Sequence, residues 1–139
     1  MIIIPIFDIC REKIDGFPKI FHKINNKFIF QYCLESIDIE NEKLLFIISE
    51  RDCNNFGLDS ILSSFYKCEI KILEKSFSVL DTIYQSNILI PQNEIITIFA
   101  PPFTYFEPKM DLKNIHNGDC HILLFKSNNP EHCYVNIKN

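Results

Sequence analysis

Six consecutive apolar residues, Ile2 to Phe7 (IIIPIF), constrain the fold more than any other stretch of the chain. A strand with one face in water alternates apolar and polar residues. An unbroken apolar run needs cover on both faces, which is the habit of strands in parallel sheets. The run is far shorter than the ~20 residues that span a bilayer. It also lacks the basic flank of a signal peptide, and Pro5 and Asp8 interrupt it. These features predict a cytoplasmic domain with reduced thiols and no membrane segment.

A second apolar run follows at Leu44 to Ile48, and further strand candidates at Glu69 to Leu73 and Glu94 to Phe99. Between them the period changes. Phe30, Cys33, Leu34 and Ile37 fall at i, i+3, i+4, i+7, and Leu58, Ile61, Leu62 and Phe65 repeat that spacing, with Asp59 and Ser60 suited to a first turn. Ser76 to Leu89 reads as a third helix with Val79, Leu80, Ile83 and Tyr84 on one face. Strands alternating with helices give βαβ units, helices on both faces of the sheet and a functional edge at the strands' C-terminal ends. Two closing strands are expected at His121 to Phe125 and Cys133 to Ile137. The predicted fold is α/β, a three-layer α/β/α sandwich around a Rossmann-like, mostly parallel sheet. With 139 residues and no internal repeat or linker, one domain is expected over 1–139.

Charge narrows the partners. The net charge of −4 and the scattered lysines and arginines exclude a polyanion-binding face of the nucleic-acid type. In a doubly wound sheet the loop after the first strand holds phosphates, with glycines that let backbone N–H groups come close. Here that loop reads FDICREKIDG, with Asp8, Ile9 and Cys10 where glycines would be needed. Positive charge is still supplied by Arg11, Lys13 and Lys19.

Taken in order, IIIPIF, FPKIF and INNKFIFQYCLESI resemble the opening of a sugar-phosphate nucleotidyltransferase of GT-A-like fold. EKSFSVLDTIYQS is similar to the segment that brings a Ser or Thr near the nucleotide. NEIITIFAPPF stands in the place of the strand delivering a metal-binding aspartate, and GDCHILLFKSNNPEHCYVNI is similar to a later strand pair. The resemblance implies that Lys19 contacts the triphosphate and is the catalytic residue if the protein is active. It also implies that Arg11, Lys13 and Ser78 lie at the nucleotide. Mg2+ would be the cofactor only of an active enzyme, because it needs carboxylate oxygens and the sequence offers Pro101 and Pro102 there. No other cofactor and no metal site is expected. Members continue past the last strand into a sugar-binding half, which this chain is expected to lack.

Three departures touch one reaction: the glycine cradle, the metal carboxylate and the acceptor half. They imply a degenerate nucleotidyltransferase-like protein of capsule or surface-polysaccharide sugar-nucleotide biosynthesis, catalytically impaired and binding a nucleotide, a nucleotide-sugar or a pathway partner. A homodimer would compensate for the missing half. Two alternatives stay open: an active enzyme completed by another chain, and a non-enzymatic structural or regulatory protein with a closed pocket.

Two other groupings stand out. His116, Asp119, Cys120, His121, His132 and Cys133 suggest zinc by composition, but adjacent Cys–His pairs point to opposite faces of a strand, so buried thiols and exposed imidazoles are expected instead. Phe103, Tyr105 and Phe106 sit in the proline-stiffened PPFTYFEP, either as a docking patch for a protein or a ring-bearing ligand or as a cap folded over the pocket. Phe28, Phe30 and Phe65 are expected in the core.

Overall fold

A computed structural model describes residues 1–7, 9–10, 13–76, 78–88, 96–99, 105–107 and 109–110. Its centre is a four-stranded parallel sheet. Strand β1 is Ile2–Ile6. Two short hairpins follow, β2 Lys13–Ile14 with β3 Phe17–Pro18, and β4 Lys23–Ile24 with β5 Lys27–Phe28. Helix α1 (Ile29–Glu35) leads to β6 (Leu44–Ser49). Helices α2 (Glu50–Phe56) and α3 (Leu58–Phe65) precede β7 (Cys68–Leu73). Helix α4 (Val79–Gln85) and strand β8 (Thr97–Ile98) complete the described elements.

The spatial order β7-β6-β1-β8 means that the chain builds outward from β1 to β7 and then returns to the other side of β1. Alternation sorts the strand side chains into two clusters. Ile2, Ile4, Ile6, Leu44, Phe46 and Ile48 pack with Phe30, Leu34, Leu58 and Leu62. Ile3, Leu45 and Ile47 face the other way, against Leu73, Ile83 and Ile88. Burying each such side chain is worth about 1.5–3 kcal/mol. The continuous apolar runs are therefore what hold β1 and β6 in the middle of the sheet.

Pro5 is tolerated in this central strand for a geometric reason. Ile2 donates its N–H towards β6, to Lys43 O at 2.8 Å, whereas Met1 and Ile3 turn their carbonyls to β8, accepting from Thr97 and Phe99. By the two-residue period Pro5 also faces the β8 side. Its missing N–H therefore takes nothing from the β1–β6 ladder.

The helix ends follow local chemistry. Ser49 Oγ accepts the Asp52 N–H at 3.0 Å and starts α2, and Gly57 in the left-handed region (φ 62°) stops it and opens α3. Helix α2 was not expected, because ERDCNNF carries no apolar stripe. The loop expected over 8–18 contains the β2–β3 hairpin, whose Asp15 and Gly16 both take positive φ, as a two-residue I′ turn needs. Asn25 and Asn26 do the same for β4–β5.

Two expectations are corrected. On α4, Val79, Leu80 and Tyr84 are exposed, while Thr82 and Ser86 are buried. The buried hydroxyls are satisfied within the segment itself: Thr82 Oγ1 bonds the Ser78 carbonyl and Ser76 Oγ, and Ser86 Oγ bonds the Ile83 carbonyl. Phe65 is 46% exposed rather than core, whereas Phe30 is fully buried. The strands expected at 121–125 and 133–137 and the histidine–cysteine cluster at 116–133 lie outside the described residues.

Candidate functional site

Because the chain reverses direction at β1, the C-terminal ends of β1 and β8 flank the topological switch point, the usual place for a ligand in an open α/β sheet. What leaves β1 there is a ribbon of the two hairpins. Between Lys13 and Phe28 it carries four lysines and one acid, Asp15, in a chain whose net charge is −4. The hairpins are tied side by side. His22 Nε2 donates to the Ile14 carbonyl at 2.8 Å, and the Phe17 ring meets those of Phe21, His22 and Phe56 at 6.0–6.4 Å.

Of the four residues expected to bind phosphate or nucleotide, two, Lys13 and Lys19, stand on the hairpin ribbon. Lys13 lies opposite Pro18 in the hairpin ladder, one residue from Lys19, and is exposed. Lys19 is half-buried at the head of a short 3-10 turn, Lys19–Phe21, anchored by the buried Ile20 and Phe21. Its charge is felt by Cys33: burial pushes that thiol up, and Lys19 pulls it part of the way back. Ser78 is elsewhere. It heads α4, which packs through Ile83 on the opposite face of the sheet, and its Oγ accepts the Asp81 N–H at 3.1 Å as an N-cap. Arg11 and Asp8 lie outside the described residues.

Beneath the loop lies a group that the sequence reading did not single out. Asp52, in the first turn of α2, is fully buried. Its Oδ2 faces the Ile9 N–H at 3.5 Å, and its Oδ1 lies 3.6 Å from Arg51 Nε, with no hydrogen-bond partner among the described residues. Ile9 itself is 2% exposed and belongs to the core. Ile9 thus turns its side chain into the core and its N–H towards a buried carboxylate. The signal for Asp52 was the S-x-x-D spacing from Ser49, which marks a helix start but not what the carboxylate faces.

Beside the ribbon, Ile24, Ile29, Tyr32, Cys33 and Tyr105 line an apolar cavity of about 380 Å3. The Tyr32 hydroxyl donates to the Ile24 carbonyl at 2.8 Å. Lys27 bonds Glu35 at 2.8 Å and lies 5.8 Å from the Tyr32 ring; that bond raises the lysine's pKa. The two described aromatics of PPFTYFEP differ in placement. Phe106 folds inward against Phe99, at 6.2 Å between ring centres, while Tyr105 is exposed at the cavity. Phe103 lies outside the described residues.

Cys10, Cys33, Cys53 and Cys68 are thiols without disulfides. Among the described residues no three His, Cys, Asp or Glu side chains are grouped as a metal site requires, and no helix is long and apolar enough to cross a membrane. Comparison with known proteins gives no match to a family model and none to a curated protein.

Proposed function

We propose that this chain is a nucleotidyltransferase-like domain that binds the phosphates of a nucleotide or nucleotide-sugar at Lys13 and Lys19, with Arg11 adding charge, and that it is impaired in catalysis. One observation carries the reading. The lysine-bearing ribbon leaves β1 at the switch point of a parallel sheet ordered β7-β6-β1-β8, where exposed positive charge has a phosphate-sized task. The cationic hairpin supports binding. The Ile9 N–H directed at the buried Asp52 carboxylate, together with Pro101 and Pro102 in place of an acid, supports loss of turnover. The residues present, with Pro101 and Pro102 where an acid would stand, do not fit Mg2+ chemistry of this type.

In this reading the sheet extends to a three-layer sandwich of the GT-A-like type within one domain. The protein serves sugar-nucleotide supply for a surface polysaccharide in the cytoplasm, alone or with a pathway partner. The sequence resemblance supplies the pathway; the site supplies only the phosphate chemistry. Ser78, which caps α4 on the other face of the sheet, stands outside this binding set. Calorimetric titration with nucleoside triphosphates and with UDP- and dTDP-sugars tests the proposal. Saturable binding supports it, and no heat at millimolar ligand removes it.

A further inference from the structure

The apolar cavity beside the ribbon has no part in phosphate binding. Helix α1 supplies one wall through Ile29, Tyr32 and Cys33, spaced i, i+3, i+4 on one helical face. Ile24 of β4 and Tyr105 supply the rest. At about 380 Å3 the cavity stands at the small end of the range for ligand sites. The Tyr32 hydroxyl is held by the Ile24 carbonyl at 2.8 Å, which fixes that ring in the wall.

The surrounding charge is uneven. On the Tyr32 side, Lys27 is the ladder partner of Ile24 and gives its ammonium to both Glu35 oxygens, at 2.9 and 2.8 Å, so this rim is neutral. On the Cys33 side, the Lys19–Phe21 turn packs against α1 and the charge of Lys19 reaches the Cys33 thiol.

We infer that the cavity takes the base of the nucleotide whose phosphates lie at Lys19, with Tyr32 and Tyr105 as its aromatic walls. The inference rests on the phosphate-binding reading above. Charge orients the ligand: the cavity has no charged wall residue and its rim cation is neutralised, so the anionic end belongs at Lys19 and a neutral group inside. Chemistry chooses a ring as that group, because an aromatic wall stacks on the π face that every base presents and gains no stacking from a saturated chain. No wall side chain carries an amide, carboxylate or guanidinium to read the edge of a base. The site therefore selects by ring size and not by base identity, purines over pyrimidines and adenine no better than guanine. Tyr105, from the proline-rich PPFTYFEP, is 58% exposed and is the wall that a ligand can cover.

The test separates the base from the phosphates. In calorimetric titrations ATP should bind roughly tenfold or more tighter than inorganic tripolyphosphate. Tyr105→Ala should erase that gain and leave tripolyphosphate binding unchanged, whereas Tyr105→Phe should keep the gain. GTP should match ATP, and both should exceed UTP and CTP. Phenyl phosphate should bind more tightly than hexyl phosphate. The chain has no tryptophan, so Tyr105→Trp places a single reporter at the cavity, quenched by ATP and adenosine but not by tripolyphosphate. Tripolyphosphate bound as tightly as ATP, a gain indifferent to Tyr105→Ala, or hexyl phosphate bound as well as phenyl phosphate would overturn the inference and leave phosphate binding at Lys19 standing. No binding of either ATP or tripolyphosphate would remove both.

Discussion

Phe30 and Phe65 carry the same side chain, stand in contact at 6.0 Å between ring centres, and differ in one respect: Phe30 is fully buried and Phe65 is 46% exposed. Truncating each to alanine therefore separates core burial from ring contact. Phe30 is also stacked on Phe28 at 5.5 Å and meets Tyr66 at 6.3 Å, so its removal leaves a cavity walled by rings on several sides. Loss of a buried phenylalanine costs about 3–5 kcal/mol. Phe65 has shed only about half its surface, leaves a notch open to solvent, and should cost about 1 kcal/mol. For a domain of this size the difference is roughly 10 °C or more in Tm. Urea denaturation followed by circular dichroism, with m compared between variants, measures both. Equal losses for the two variants would refute the placement of α3 against the core, because they would require Phe65 to be enclosed as well.

Two further outcomes follow from the same chemistry. Ser78→Ala should lower stability by about 1 kcal/mol through loss of the α4 cap, Ser78→Asp should keep the cap, and neither should change nucleotide binding at Lys13 and Lys19; thermal melts and calorimetry check both. Burial holds the Tyr66 hydroxyl and the Cys33 thiol above their usual pKa values, so the stability they contribute is full below those values and falls as pH rises through about 9 for Cys33 and above 10 for Tyr66. Melts across pH 7–11 should show this alkaline loss, and Tyr66→Phe should remove the part of it above pH 10.

Where the sequence was legible, burial alone decides the structure. β1 and β6 are continuous apolar runs because both their faces are covered, and α1 and α3 announce themselves through Phe30, Cys33 and Leu34 and through Leu58 and Leu62. Elements set by single hydrogen bonds or by backbone conformation were less legible. Helix α2 exists through the Ser49 cap and the left-handed Gly57, and the hairpins through Asp15-Gly16 and Asn25-Asn26 turns joining two-residue strands too short to show a period. The face of α4 was misread because its buried side, Thr82 and Ser86, is polar and satisfied internally. At the site, the proline–lysine pair is followed by the short turn that starts at Lys19, one residue on from the ladder partner of Lys13. Asp52 escaped notice because its significance lies in facing Ile9, 43 residues away in the chain.

The central claim is that the cationic hairpin at the switch point binds nucleotide phosphates. The most direct measurement is a calorimetric titration of the wild type and of Lys19→Ala with CTP, UTP, dTTP, ATP and GTP, at two salt concentrations. The account predicts saturable binding to the wild type that weakens with salt and falls about tenfold in Lys19→Ala, as loss of one charge-assisted phosphate contact requires. Binding unchanged in Lys19→Ala, or no binding of any nucleotide at millimolar concentration, would contradict it.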